Sequence, residues 1–256
     1  TLPHVLEARE QTRSTSDART LVLSHGSRLI LERVGVWDRL GSYTPITRIH
    51  VSQRGGFGTT QISAEEEQLP ALGYVVSYGA LEIALEAQLA AAGIAVQYGT
   101  DARCVAGVVH TTDGHEYRAP LIVVADGGRG EQAPAPRLAR DYEQMAIVCE
   151  VQTELPHEHR AYERFTPDGP VALLPYAVRA TNDDVVASRL AAHHTYALVW
   201  TTQPRDAERI AMLDDAAFLD ALYQHFGGRQ GRFLSATSRK RFPLKLSFIG
   251  TQADAG

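Results

Sequence analysis

The stretch Ser77-Tyr78-Gly79-Ala80-Leu81-Glu82-Ile83-Ala84-Leu85-Glu86-Ala87-Gln88-Leu89-Ala90-Ala91-Ala92-Gly93, followed directly by Ile94-Ala95-Val96-Gln97-Tyr98, decides the reading of the fold. Good helix formers fill the first part, Gly93 is placed to close it, and Leu81 to Leu89 at helical spacing reads as core. The run from Ile94 to Tyr98 then reads as a strand. Upstream, His4-Val5-Leu6-Glu7 is a short strand ending in an acid. The apolar residues between Arg19 and Leu40 predict a helix from about Ser24 or Ser27 to Val34, stopped by Gly35. Downstream, Val105 to Tyr117 reads as a hairpin turning at Asp113-Gly114, and Leu121-Ile122-Val123-Val124-Ala125 as a fully apolar strand of the buried type. Strands alternating with helices are the pattern of a parallel α/β region.

Two blocks follow a different rule. From Arg48 the chain alternates through Ile49 and Val51 to Gly55-Gly56-Phe57-Gly58, then through Thr60 and Ile62, which predicts a hairpin with a glycine-rich turn. From Ala146 onward, strands are expected at 146–152, 161–165, 171–175 and 196–201. A helix follows over 214–226, capped by Asp214 or Asp215 and ended by Gly227-Gly228. The expected fold is therefore α/β, with an incomplete Rossmann-like domain interleaved with a mainly antiparallel β-sheet domain. The boundaries follow as 1–45, 77–145 and 240–256 for the first, and 46–76 and 146–239 for the second.

The 256 residues fit one or two domains, and 44% apolar with 21% charged residues is the composition of an ordinary folded protein rather than a disordered one. With 25 Lys and Arg against 30 Asp and Glu, the net charge of −5 gives no support for nucleic acid as a partner. Only Cys104 and Cys149 are present, too few for a disulfide framework, so a reducing cytoplasm is the expected setting. The longest apolar runs, such as 120–125 and 171–174, fall far short of the roughly 18–20 residues of a membrane span. The start, Thr1-Leu2-Pro3-His4, has neither an initiator Met nor a signal pattern, so the chain is expected to begin within a longer protein.

Few residues suggest chemistry. Glu7 at a strand end is placed to accept hydrogen bonds from ribose hydroxyls, or is an exposed acid after a strand. Asp126-Gly127 after an apolar strand offers a carboxylate and backbone amides to a ribose or pyrophosphate, or is a simple turn. Arg19 is able to bridge cofactor groups or to sit in a structural ion pair. His157, His159, His193 and His194 lack a partner cluster at metal-ligand spacing, so no metal is expected. Ser24-His25 and Ser77 are not in a nucleophile elbow, so hydrolase chemistry has no support. Glu65-Glu66-Glu67 reads as a solvated turn.

Taken together, Asp17-Ala18-Arg19-Thr20-Leu21-Val22-Leu23-Ser24 with Gly26 to Trp37, Ile49-His50-Val51-Ser52-Gln53-Arg54-Gly55, and Leu69 to Val76 resemble the flavin-dependent aromatic hydroxylases of ubiquinone biosynthesis, the 2-polyprenyl-6-methoxyphenol hydroxylase type within the para-hydroxybenzoate hydroxylase superfamily. Val123-Val124-Ala125-Asp126-Gly127, Glu163-Arg164-Phe165-Thr166 with Gly169 to Pro175, and Phe242-Pro243-Leu244 extend the likeness over most of the chain. The family's glycine-rich dinucleotide loop would stand before residue 1. Thr251 occupies a place where the family has Asp or Asn, and Gly128-Arg129-Gly130 replaces a segment with a Ser. A truncated or partly ordered form is the expectation.

The resemblance implies an FAD-dependent monooxygenase, with NADH or NADPH as reductant and O2 as co-substrate, hydroxylating a polyprenylated phenol ring. By the same resemblance Glu7, Arg19, Asp126 and Gly127 would hold the cofactor, and no side-chain nucleophile is required. Alternation adds a substrate sheet whose apolar face would present Val51, Leu173, Leu174 and Val199, beside Ile49 and Ala172. A lipid-soluble phenol is the implied substrate, other ubiquinone-pathway proteins the implied partners, and peripheral contact with the inner membrane stays open. The alternatives are a related flavin hydroxylase acting on another phenol, and a non-catalytic fragment acting as a binding module.

Overall fold

The computed structural model describes residues 3–8, 19–125, 138–177 and 193–248. The chain divides into two compact units, each assembled from separate stretches. The larger takes Thr15–Leu85 and Glu143–Leu244, and the smaller takes Thr1–Ser14, Glu86–Tyr142 and Lys245–Gly256.

The larger unit rests on a mixed sheet. Its strands are β4 (Arg48–Gln53), β5 (Thr59–Ser63), β11 (Leu138–Thr153), β12 (Arg160–Phe165), β13 (Val171–Pro175), β14 (Thr195–Thr202), β15 (Phe233–Ala236) and β16 (Lys240–Phe248). The order is β15-β11-β14-β13-β12-β4-β5, with β16 also pairing β11. The β4–β5, β12–β13, β13–β14, β11–β14 and β11–β15 pairs are antiparallel, whereas β12 runs parallel to β4. The mainly antiparallel sheet is as the alternation predicts, and so is the hairpin around Gly55 to Gly58. A helix pair covers one face. These are α3 (Pro204–Ala211), which the sequence pattern did not announce, and α4 (Asp215–Phe226). Asp214 caps α4, its carboxylate accepting from the Ala217 amide at 2.8 Å, and Gly227 ends it at φ +92°.

Beneath these helices lies the main core. Ile147, Val151, Leu173, Tyr196, Leu198 and Trp200 of the sheet meet Ala207, Phe218, Leu222 and Phe226 of the helices. A second cluster joins Val36, Trp37, Ala71, Tyr74 and Val76 to Ala84. It packs the three-stranded sheet β2 (Thr20–Ser24), β6 (Gly73–Ser77) and β3 (Thr44–Ile46) with α1 (His25–Arg33) and the start of α2 (Tyr78–Ala91). Ser24 caps α1, accepting from the Ser27 amide at 3.1 Å, and Gly35 follows its end at φ +74°.

The core reading of Leu81 to Leu89 is corrected here. Ala84 is buried and Leu81 partly so, but Ile83 and Leu85 are 60% and 40% exposed. A helix apolar on every side cannot direct all its residues at one packing surface.

In the smaller unit, β1 (Val5–Leu6) pairs in parallel with β7 (Val96–Gln97), and β8 (Ala102–Val105), β9 (Val108–Thr111) and β10 (Glu116–Tyr117) form an antiparallel meander. The turn at Asp113-Gly114 is found as expected, tied by the Thr111 amide donating to the His115 carbonyl at 3.0 Å. The buried strand expected at 121–125 is not. That segment has no strand pairing, with Leu121, Val123 and Val124 at 78%, 74% and 66% exposure. An apolar run becomes a strand only where a neighbouring edge supplies hydrogen bonds, and among the described residues none does.

Gly169 closes the β12–β13 turn at φ +134°, where an added Cβ would collide with the Thr201 carbonyl oxygen. Gly169→Ala is expected to destabilise by more than about 1 kcal/mol, read as a lower midpoint in urea unfolding, because both backbone strain and the clash act against it.

Candidate functional site

Strand alternation gives the main sheet two chemically distinct faces. Register aligns Val51 (β4), Glu163 (β12), Ala172 (β13), Val199 (β14) and Val148 (β11) in one row. Two residues along the strands stand Ile49, Ala161, Leu174, Ala197 and Glu150. Side chains of both rows point to the same side, away from the helix-covered core. Ile49, Val51, Val148, Ala172, Leu174 and Val199 are half-buried there, while Ala161 and Ala197 between them are buried, which makes an apolar floor that is only partly open on its outer side. At one end this floor meets β3 and β6 through Ile46 and Val75.

Two carboxylates border the floor, separated by three strand spacings, about 14 Å across the sheet. Burial pushes both Glu163 and Glu150 above the usual carboxylate range. Among the described residues neither carboxylate has a hydrogen bond or an ion pair. Tyr176 lies beside Glu150, hydrogen-bonded through its side chain to Ser77, and burial raises its hydroxyl. Glu150 also borders a recess shared with Arg19, Val148, Cys149, Thr237, Ser238, Lys240 and Phe242. The Arg19 guanidinium lies 4.5 Å from the centre of the Tyr78 ring and 5.5 Å from that of Phe242. Cys149 is no nucleophile, since burial pushes its thiol up to about 12.

The expected site residues fall into five groups. Val51, Leu174 and Val199 share the open face. Leu173 does not: it is fully buried on the opposite side among the residues under α4, because neighbours along a strand point to opposite faces. Arg19 lies at the recess beside Val148 and Glu150. Glu7 belongs to the smaller unit and follows β1, at the carboxyl end of its parallel pair with β7. Its amide donates to the Gln97 carbonyl at 2.9 Å and its carbonyl accepts from the Thr100 amide at 3.0 Å. Asp126 and Gly127 lie outside the described residues. Sequence reasoning missed Glu150 and Glu163 as site residues. The available signal was their position, since each is an acid at an alternation site inside a strand otherwise built for packing.

Among the described residues, no group of His, Cys, Asp and Glu is arranged to hold a metal, and no helix is long and apolar enough to cross a membrane.

Comparisons with known proteins meet this geometry. The mouse ubiquinone biosynthesis monooxygenase COQ6 is 26% identical over 239 residues, 86% of this chain and 47% of its own length. The ubiquinone hydroxylase UbiL of Rhodospirillum rubrum is 30% identical over 248 residues, 93% of this chain and 54% of its own. The 3-demethoxyubiquinol 3-hydroxylase of Escherichia coli is 27% identical over 248 residues, 90% of this chain and 58% of its own. Over most of its length this chain is similar to ubiquinone-biosynthesis monooxygenases. It spans about half the length of the relatives it matches. No family model matches. Solved structures agree on the fold: PqsL of P. aeruginosa superposes with a TM-score of 0.69 at 15% identity, covering 94% of this chain and 66% of that one. HpxO of Klebsiella pneumoniae, solved with FAD, gives 0.62 at 15% identity over 95% of this chain and 62% of that one. The likeness to these monooxygenases thus runs through both units of the chain.

Proposed function

We propose that this protein is an FAD-dependent monooxygenase that hydroxylates a polyprenylated phenol ring in ubiquinone biosynthesis, with NADH or NADPH as reductant and O2 as co-substrate. The observation that carries the reading is the outer sheet face: an apolar floor with two partly desolvated carboxylates and, among the described residues, no activated nucleophile. Such a surface suits a flat, uncharged ring with an apolar tail.

The residues present fit the cofactor by the chemistry of their donors. Arg19, with Lys240 across the recess, supplies positive charge suited to a diphosphate or an electron-rich ring edge, and Glu7 offers an acceptor for ribose hydroxyls. Bound flavin would supply the activation of oxygen that no side chain here can perform. Val51, Ala172, Leu174 and Val199 would hold the ring and keep water from it. Glu163, in their row, would accept the hydrogen bond of the phenol hydroxyl and orient the ring. In this reading residues 1–45, 77–145 and 240–256 serve the cofactor, Asp126 and Gly127 among them, and 46–76 and 146–239 serve the substrate. Other ubiquinone-pathway proteins are the proposed partners, in the cytoplasm or at the periphery of the inner membrane.

The test is nicotinamide oxidation by the flavin-loaded protein, scanned over phenols with and without a prenyl tail, with products read by mass spectrometry. A prenyl-phenol-dependent rate with one oxygen added to the ring is expected. Substrate-independent oxidation without product, or flavin binding with no phenol response, would overturn the reading.

The Glu163 environment makes a separate prediction that needs no activity. Its folded value is raised by burial, so the native state holds the proton more tightly than the unfolded chain. The resulting stability is fully present below the unfolded carboxylate value, about 4.3, and is lost as pH rises through the raised folded value. Glu163→Gln should flatten the fall in urea-unfolding free energy across that window. A variant whose pH profile overlays the parent's contradicts a lone buried carboxylate.

A further inference from the structure

The helix-covered face of the main sheet is apolar under α3 and α4 and turns basic over β4 and β12. Register sets Arg48, His50 and Ser52 of β4 beside Arg160, Tyr162 and Arg164 of β12, all on that face. The segment after α4 adds Arg229 and Gln230, the Gln230 side-chain amide donating to the Tyr162 hydroxyl. Arg54, at the end of β4, reaches His225 at 3.4 Å.

Two independent features mark this group. The first is uncompensated charge. Arg160 has Glu158 at 3.9 Å, but among the described residues Arg48, Arg54, Arg164 and Arg229 have no carboxylate at ion-pair distance. Asp168 is felt at His225. Burial, with Arg229, Arg160 and Arg164 close by, holds the His50 imidazole below its ordinary range, and burial with Arg229 and Arg54 does the same to Arg164. Guanidiniums cannot relieve such repulsion by losing protons. The second is hydrogen bonding. His50 is only 7% exposed, and its Nε2, together with the Nε atoms of Arg160 and Arg164, is buried without a hydrogen-bond partner. Orphaned donors of this kind are rare because each costs about 1–3 kcal/mol.

Arg160 and Arg164 each spend one terminal N–H on a long bond, to the Tyr162 and Ser52 hydroxyls at 3.5 Å, and their Nε atoms stay unspent. Such guanidiniums, gathered with an imidazole, match an anion with many acceptor oxygens and more than one charge. A single carboxylate would occupy one fork only. We propose that this basic face binds a phosphate group, with Arg164 and Arg229 as its main contacts, His50 beneath, and Arg54 and Arg160 at the flanks. The phosphate belongs either to a soluble compound or to a phospholipid headgroup. This site is on the opposite side of the sheet from the proposed substrate floor, and its fate does not bear on the hydroxylase reading.

The test compares thermal unfolding and His50 ring-proton NMR of the purified protein in inorganic phosphate and in sodium chloride at equal ionic strength. Phosphate is expected to raise the melting temperature saturably and to move the His50 titration upward, since a bound anion reverses the field it feels. Arg229 is exposed, so Arg229→Gln should leave folding intact while weakening the phosphate response at least tenfold, and Arg164→Gln should do the same where it folds. Sedimentation with phosphatidylcholine vesicles, with and without phosphatidic acid, separates the sources. Retention by the acidic vesicles, lost in Arg229→Gln, assigns the headgroup, and a response to inorganic phosphate alone assigns a soluble ligand. Equal responses to phosphate and chloride with no vesicle binding, or an Arg229→Gln variant that binds as well as the parent, would overturn the proposal.

Discussion

Leu173→Ala is expected to lower the unfolding free energy by about 2–5 kcal/mol, and Leu174→Ala by clearly less, although the two side chains are identical and adjacent. Leu173 is fully buried between β12, β14 and α4, in a core that includes Tyr162, Leu198, Phe218 and Phe226, so its truncation leaves a cavity that rigid neighbours cannot fill. Leu174 is half-buried on the other face, packed against the small cluster of Ile46, Val75 and Ala161, so a shortened side chain there loses less buried contact and is partly met by solvent or ligand. Leu174→Ala should instead weaken binding of a prenylated phenol, while Leu173→Ala, where it folds, leaves that affinity near the parent value. Urea unfolding at unchanged slope measures the first effect and equilibrium binding the second. A larger stability loss from Leu174 than from Leu173 would mean that the assigned faces are reversed.

Arg19→Ala is expected to raise the FAD dissociation constant of the intact protein by about 10- to 100-fold, the loss of one charge-assisted interaction of roughly 1.5–3 kcal/mol. Arg19 sits at the start of β2 with its guanidinium beside Tyr78 and Phe242, in the recess that holds Glu150 and Lys240. The stacked fork is held in one orientation, so a ligand does not have to order it. Arg19→Lys keeps the charge and loses the planar fork, and should fall between parent and Ala. Flavin absorbance in equilibrium dialysis reads all three, with circular dichroism to show that the fold is retained. An unchanged dissociation constant removes Arg19 from the cofactor site.

Much of the fold was legible from local chemistry. Ser24 and Asp214 cap their helices, and Gly35, Gly93 and Gly227 end them, because capping and positive φ are decided by the residue itself and its immediate neighbours. Alternation located β4, β5, β12, β13 and β14 within a residue or two. The same reasoning failed where a strand depends on a partner. Thr20–Ser24 pairs with β6 and was not expected as a strand, whereas 121–125 has the composition of a buried strand and no edge to join.

Of the candidate site, sequence supplied residue types and resemblance supplied roles, but neither supplied sides. Val51, Leu174 and Val199 come from strands far apart in the chain and meet through register, and the same register sends Leu173 to the core. Glu163 and Glu150 matter because pairing places them on an apolar face without a partner. The basic face over β4 and β12 is likewise invisible in a chain whose net charge is −5. What the sequence determined by itself is the set of helices, turns and alternating strands, together with likeness to the ubiquinone-biosynthesis monooxygenases, because these rest on residues close along the chain. Which charges are left unpaired, and on which side of the sheet, only the tertiary structure decided, because desolvation and compensation depend on neighbours that the chain brings together only when it folds.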